Sequence, residues 1–545
     1  MIAGIENIEK EISSVLKKYE ILDNIEIRYS NLNNVDLQCN NLVRYSNNSD
    51  LPSIKTNLIS LIKENQLIES IEINEKNFIN MNFSNQYFFE YSQSIAERIK
   101  HTQKSSIIFD YGGPNIGKDL HVGHIRTLNI GRSLYNIYKI AGNKVVSDIH
   151  FGDWGMPVAQ IIAYIEHNDL DLELLDYEDL ETIYPKANKL SSEDKNFYNT
   201  AKSIAMHLNS KNKNYTMKWK TIYNLAIPNI KTLLNKLGHS FDWYFGESDV
   251  VKETDLVVSK AIDEKKVKKD DGALISTQEV DPPILITKSD GSYLYLTTDL
   301  GTVLFRENKS SFDKYIYVVD SRQENHFKQL FTTVKHFGLS NSDFFHVGFG
   351  TINGSDNKPF KTRDGGVYKL NLLFEDIKEK LKKYNSDDQV LNTLTNTVLT
   401  YSDLLPNRNQ NYIFDVDKFT DINGKTGIYI QYAQVRARKL LDSSTKPGSY
   451  NINYEINSEE RNLLLLITKF DYFFNLSLIN MEPHHLAEYL FNLSQAFNSF
   501  YTNNKIFSDE IPIETQINRI KIVEEFFNTI GLVFSCLGIE AAESM

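Results

Sequence analysis

Residues 107–154, IIFDYGGPNIGKDLHVGHIRTLNIGRSLYNIYKIAGNKVVSDIHFGDW, decide the fold. The run Ile107-Ile108-Phe109-Asp110-Tyr111 is short, apolar and β-prone, and Gly112-Gly113-Pro114 stops it, which predicts a buried strand entering a tight turn. Beyond the turn Ile125, Leu128, Leu134, Ile137, Tyr138 and Ala141 recur at near-helical spacing until Gly142, a residue suited to the position just past a helix end. A second strand is expected over Lys144 to Phe151, ending in Gly152-Asp153-Trp154-Gly155. The pattern is a β-α-β unit whose crossover helix starts at His121-Val122-Gly123-His124.

Such a unit sets a helix N-terminus, with unpaired N–H groups and partial positive charge, at the carboxyl edge of a parallel sheet, where anions bind. Two histidines add side-chain donors there, and Gly123 lacks a Cβ, so a ring or phosphate can approach the backbone. A pair of histidines that merely caps a helix is the alternative. Strand, turn and helix in the required order favour a nucleotide site.

A chain of 545 residues is too long for one core and suggests three or four domains. Its 71 acids against 59 Lys and Arg give a net charge of −12, which argues against a nonspecific nucleic-acid coat but leaves a specific RNA binder open, since a local basic face is what meets phosphate. The two cysteines, Cys39 and Cys536, stand at opposite ends with no clustered partner, so neither a disulfide framework nor a structural zinc site is implied. The first twenty residues space Ile5, Ile8, Ile12, Leu16 and Tyr19 like an amphipathic helix, unlike a signal peptide. The densest apolar run, Leu463 to Ile467, is far below the ~20 residues of a membrane span. A reducing, cytoplasmic setting away from membranes is the default expectation.

In chain order, residues 1–102 read as a small α+β domain, with strands near Ile25–Tyr29 and Val35–Gln38 and a helix around Ile54–Asn65. Its aromatics Phe78, Phe83, Tyr87, Phe88, Phe89 and Tyr91 are of the kind that stacks on RNA bases, but filling a small core is the better reading for most. Residues 103–390 form an α/β domain with a Rossmann-like parallel sheet and an insertion of acidic helices over about 170–280. The lysine run 265–269 reads as a solvated face, with a contact to an RNA acceptor stem as the second reading. Ile284–Thr287, the turn Ser289-Asp290-Gly291 and Tyr293–Thr297 read as a β-hairpin, and Tyr315–Val319 as another buried parallel strand. Residues 391–545 are helical throughout, clearest in 463–474, 485–500 and 520–537. His484 and His485 lack a second metal-ligand motif and read as capping or surface residues.

The segment GGPNIGKDLHVGH followed by HFGDWG resembles the signature region of class I aminoacyl-tRNA synthetases, and of arginyl-tRNA synthetases in particular. SDGSYLYLTTDLG (289–301), VVDSRQENHFKQL (318–330), KPFKTRDGG (358–366) and GIYIQYAQVRARKLL (427–441) continue the likeness in the family's order. The resemblance implies an arginine–tRNA ligase, using ATP as substrate with Mg2+ and no zinc, partnered by tRNA(Arg) and L-arginine, cytoplasmic and monomeric. It implies an N-terminal domain that contacts tRNA and a C-terminal all-α domain that binds the anticodon. It assigns ATP to His121, Gly123, His124, Val347 and Gly348. Arginine is assigned to Asp110, Gly113, Pro114, Asn115, His124, Tyr295, Asp299 and Gln323, with Asp299 supplying charge to the guanidinium and Tyr295 a flat wall. Catalytic roles fall to Lys118, His121, His124, Lys361 and Arg363. The second signature departs from the class pattern: Pro359-Phe360-Lys361-Thr362-Arg363-Asp364 stands where a lysine pair is expected, and the glycine turn replaces a hydroxyl by backbone.

Three rival readings fit the sequence less well. A cytidylyltransferase-type enzyme leaves the last helical third unexplained. A glutamate or cysteine synthetase wants a cationic or zinc-based pocket. A non-catalytic paralogue would be expected to lose the HVGH residues or Lys118, which are all present.

Overall fold

Ile8, Ile12, Val15 and Leu16 line one face of the first helix, α1 (Glu6–Lys17), and all four are buried, as their 3.6-residue period requires. The computed structural model describes residues 4–32, 34–93, 95–100, 104–354, 368–444, 450–451 and 454–545. After α1 come β1 (Ile27–Tyr29), β2 (Leu37–Cys39), α2 (Leu51–Lys63), β3 (Ile68–Ile73), β4 (Ile79–Phe83), α3 (Asn85–Tyr91) and α4 (Ile95–Arg98). The strands pair antiparallel in the order β1-β2-β4-β3. Phe83, Tyr87 and Phe88 are fully buried, with Phe83 stacked on Tyr87, so the aromatic-rich stretch fills this core.

This segment shares one compact unit with residues 422–536 and 541–545. Arg461 pairs with Asp36 at 2.5 Å, and Arg98 with Asp471 at 2.9 Å. The helices here are Gly427–Asp442, Ser458–Thr468, Phe470–Asn480, His484–Asn503 and Ile513–Leu537. Ser458–Asn480 is apolar and long enough to cross a membrane by composition, but the turn at Lys469 splits it in two, and Leu463, Leu464, Ile467, Phe470 and Phe474 are buried in the unit's core.

The other unit comprises residues 101–421 and 537–540. It contains β5 (Ser106–Tyr111), α5 (His124–Ile140) and β6 (Lys144–Asp148), followed by the helical insertion α6 (Met156–His167), α7 (Tyr177–Glu193), α8 (Lys195–Asn209), α9 (Lys213–Lys236) and α10 (Val251–Asp263). Next come β7 (Val267–Asp270), β8 (Ala273–Ser276), β9 (Leu285–Thr287), α11 (Tyr295–Lys309), β10 (Lys314–Asp320), α12 (Glu324–Phe337), β11 (Asp343–Phe349), α13 (Leu370–Leu381) and α14 (Asp388–Leu404). The main sheet runs β11-β10-β5-β6, parallel throughout.

Two expectations change here. The second strand ends at Asp148, because Ile149 and Phe151 donate instead to the carbonyls of Trp243 and Phe245. The expected hairpin stops after one bridge between Thr287 and Tyr293, and Tyr295 opens a 15-residue helix. The helix wins because Leu296, Leu300 and Val303 fall on one face and bury together, and because the Thr297 hydroxyl caps the Leu294 N–H.

Helix α5 lies close on the sheet because of Gly131. A Cβ there would stand 2.2 Å from Cγ of Tyr111, the last residue of β5. Gly131→Ala is therefore expected to destabilise this unit by about 1–3 kcal/mol despite alanine's better helix propensity. Chemical denaturation checks this; unchanged or higher stability would mean that the Tyr111 ring has room to move.

Candidate active site

The carboxyl ends of β5, β10 and β11 and the loop after β6 converge on a cavity of about 780 Å³. At the end of β5, Gly112 and Gly113 take φ of +98° and +47°, values that cost glycine little, and the chain turns toward the helix. Gly123 caps α5 and His124 is its first residue, so His121 precedes the helix rather than lying in its first turn. The His121 N–H donates to His124 Nδ1 at 3.0 Å, and the Gly123 N–H donates to His121 Nδ1 at 3.1 Å. A Cβ on Gly123 would stand 2.8 Å from the His121 ring. Each Nδ1 accepts a backbone N–H, an arrangement of neutral rings with the proton on Nε2, and His124 Nδ1 also lies 3.3 Å from the His121 carbonyl, to which it donates in the other tautomer. Burial, then the Lys118 charge, pushes His121 down to about 4. Burial, then His121 and Lys118, pushes His124 down to about 3. The pair therefore offers neutral donors beside the positive end of a 17-residue helix at physiological pH.

The segment after the second signature is tied to the first. His121 bridges Lys369, the Val122 N–H donates to Tyr368 O, and the Leu370 N–H to Leu120 O. Lys369 reaches Asp119 at 2.5 Å and Glu181 at 2.8 Å. Lys361 and Arg363 lie outside the described residues.

Tyr295 and Asp299 are four apart on α11, so they share a face and both line the cavity. Asp110, Gly113, His121, Gly123, His124 and Gln323 join them. Pro114, Asn115, Lys118, Val347 and Gly348 are not on its wall. Asn115 bridges Gly152, where a Cβ would collide with the Asn115 amide oxygen, which explains that glycine in HFGDWG.

Arg306, unremarked in the sequence, sits two turns beyond Asp299 on α11 and is fully buried. Its guanidinium donates to Asp110 at 2.5 Å and to Asp148 at 2.8 and 3.0 Å, joining α11 to the carboxyl ends of β5 and β6. His326, three residues after Gln323 in the 318–330 segment, carries no signal of its own in the sequence. Its Nε2 is 2.6 Å from Asp299 Oδ2. Asp320 pairs with Arg322 at 2.7 Å. Among the described residues, Asp110 and Asp320 of the cavity wall thus each have an arginine partner, and Asp299 has a histidine. Glu247, not on the wall itself, comes from a turn in the insertion; burial, then the Asp153 and Asp299 charges, pushes it up to about 8. Glu482, His484 and His485 bring three possible metal donors within 4.8 Å of one another, in the other unit.

A family model described as tRNA synthetases class I (R), catalytic domain, matches residues 91–416, and one described as DALR anticodon binding domain matches 430–545. The chain belongs to the class I arginyl-tRNA synthetase family. The arginine–tRNA ligase of Alkaliphilus oremlandii is 35% identical over 477 residues, 81% of each chain. That of Francisella tularensis is 34% identical over 426 residues, 73% of each. Two solved arginyl-tRNA synthetases share the fold: the Plasmodium falciparum structure with TM-score 0.81 and 24% identity over 100% of both chains, and the Thermus thermophilus structure with 0.78 and 16% over 99% of both.

Within this synthetase fold the Arg306 cluster is a buried ion triad, and removing its one cation strands two carboxylates. Arg306→Met is expected to cost about 3–5 kcal/mol of stability. Equilibrium denaturation checks this, and a loss below about 1 kcal/mol would mean that water or a protonated acid replaces the guanidinium.

Proposed function

We propose that this chain activates L-arginine with ATP and transfers it to tRNA(Arg), with Asp299 as the carboxylate that receives the substrate guanidinium. The observation that carries this is the pairing of the cavity's acids. Asp110 is held by a buried, permanently charged Arg306, and Asp320 by an arginine of its own, whereas Asp299 is held by a histidine, a partner able to become neutral. Asp110 therefore acts through Arg306 instead of touching the substrate's guanidinium. Tyr295, one helical turn before Asp299, supplies the flat wall, and Glu247 adds a second acid nearby. Gln323, Asn115, His124 and the backbone of Gly113 and Pro114 serve the α-amino end, as the family likeness implies.

In activation the arginine carboxylate attacks the α-phosphorus of ATP and pyrophosphate leaves, so the protein's task is to align two anions and stabilise growing charge. His121 and His124, as neutral Nε2–H donors at the start of α5, serve the phosphates, with Gly123 leaving room and Val347 and Gly348 on the nucleotide side. Lys118 sits close enough to depress both histidines and is the described cation nearest this task in sequence; Lys361 and Arg363 share it. Mg2+ arrives on the ATP phosphates. The wall acids are already paired, so they form no ready carboxylate cage for it. The adenylate then passes arginine to the 3′ end of tRNA, whose anticodon is read by the helical region matching the DALR model, and the cytoplasmic monomer activates arginine only once tRNA is bound.

Selection follows from the same charges. Lysine offers a compact ammonium in place of a planar fork, and citrulline offers no charge, so each leaves Asp299 incompletely paired. Asp299→Asn is expected to raise the arginine KM roughly 100-fold in tRNA-supported ATP–pyrophosphate exchange, the value of about 1.5–3 kcal/mol for an ionised hydrogen-bond partner. An unchanged KM removes Asp299 from the pocket. Lys118→Met is expected to lower kcat for exchange by about 100- to 1000-fold with little change in arginine KM; retained kcat transfers the role to Lys361 or Arg363.

A further inference from the structure

The cavity wall carries its own candidate counter-charge for Asp299. Asp299 on α11 and His326 on α12 both face it, with Nε2 of His326 donating to Oδ2 of Asp299 across 2.6 Å. Both side chains are partly exposed, 34% and 27%, so an incoming ligand can reach the bond. The distance is fixed from behind: Leu296, Leu300 and Val303 of α11 and Phe327, Leu330, Val334 and Phe337 of α12 belong to one buried cluster. The two helices therefore present the acid and the base as a rigid couple rather than as mobile surface groups.

We propose that His326 is a positioning residue that holds Asp299 as an ion pair in the empty pocket and gives up its proton to solvent when the guanidinium of arginine arrives, so that arginine binding is coupled to proton release. This rests on the assignment of Asp299 to the guanidinium and extends it to regulation by pH. A guanidinium cannot lose its charge, whereas an imidazolium can. Two cations on one carboxylate repel, and the histidine resolves the conflict by deprotonating, its Nε2–H still able to orient Asp299. The hydrogen bond to Asp299, against desolvation, raises the pKa of His326 in the empty site, so the imidazolium competes with arginine more as pH falls.

Other titratable groups surround this couple. Glu324 and Lys328 on α12 pair with each other. His346 of β11 stacks on Phe327, and burial lowers its pKa. Asp110 and Asp320 are neutralised by their arginines. Tyr295 and Tyr317, raised by burial, keep their protons, and His150 lines the same cavity; among the described groups the main competitor is Glu247, which is raised to about 8 partly by the Asp299 charge and is expected to shed a proton too when a cation enters.

The test removes that competitor. In full-length Glu247→Gln protein, arginine binding is followed by calorimetry near pH 7 in buffers of different ionisation enthalpy, then from about pH 8 down to 6, across the ordinary histidine value of about 6.5. The expected result is release of a sizeable fraction of a proton, with Kd rising by up to about tenfold per pH unit at the acid end. Adding His326→Gln, which keeps an N–H donor but cannot titrate, is expected to abolish the release and flatten the profile while binding persists. Absence of proton release in Glu247→Gln overturns the inference outright, and so does equal release with and without His326. Asp299→Asn separates the two levels: unchanged arginine Kd sinks the pocket assignment itself, whereas weakened binding with proton release untouched by His326→Gln sinks only the role of His326.

Discussion

Arg306 is the charge on which the catalytic unit depends. It is fully buried, carried by the helix that bears Tyr295 and Asp299, and bonded to Asp110 and Asp148 where β5 and β6 end. Desolvating a guanidinium is expensive and tolerable only with its acids in place. The same contacts fix α11 against the sheet edge where the His121–His124 signature begins. A second buried pair, Arg126 of α5 with Asp403 of α14, holds the signature helix from elsewhere in the unit. The signature helix and α11, which flank the cavity, are thus held in register by buried ions as well as by the apolar core.

The division of charge also explains how an enzyme selective for arginine avoids being filled by its own arginines. Arg306 and Arg322 are each committed to nearby acids, Arg306 within the buried interior and Arg322 to the aspartate two residues before it. The remaining acid has a partner whose charge depends on its surroundings. A pocket so arranged is preorganised for a cation without carrying a bare buried carboxylate, which would otherwise neutralise itself by taking up a proton.

The β5-α5-β6 unit was legible nearly to the residue, because strand, glycine turn, helical spacing and Gly142 all point the same way. The overshoot to Phe151 came from apolar residues that are buried but bonded to Trp243 and Phe245, a partner nearly a hundred positions away. Reading Tyr293–Thr297 as a strand hid more: as a helix, the segment places Tyr295, Asp299 and Arg306 along one side, a relation that a two-residue period cannot reveal. His326 lay inside a quoted block and was passed over because its meaning resides in a contact with a residue on another helix, which no spacing encodes. Glu247 had no signal at all, being an acid in an acidic insertion until the fold brings it under the influence of Asp299.

Of the acids on the cavity wall, we assign Asp299 to the substrate and leave Asp110 with Arg306. A crystal structure of the full chain with bound arginine distinguishes the two acids. The substrate guanidinium is expected within hydrogen-bond distance of Asp299, with the Arg306 contacts to Asp110 and Asp148 unchanged. A guanidinium seated on Asp110, with Arg306 displaced, would contradict this assignment.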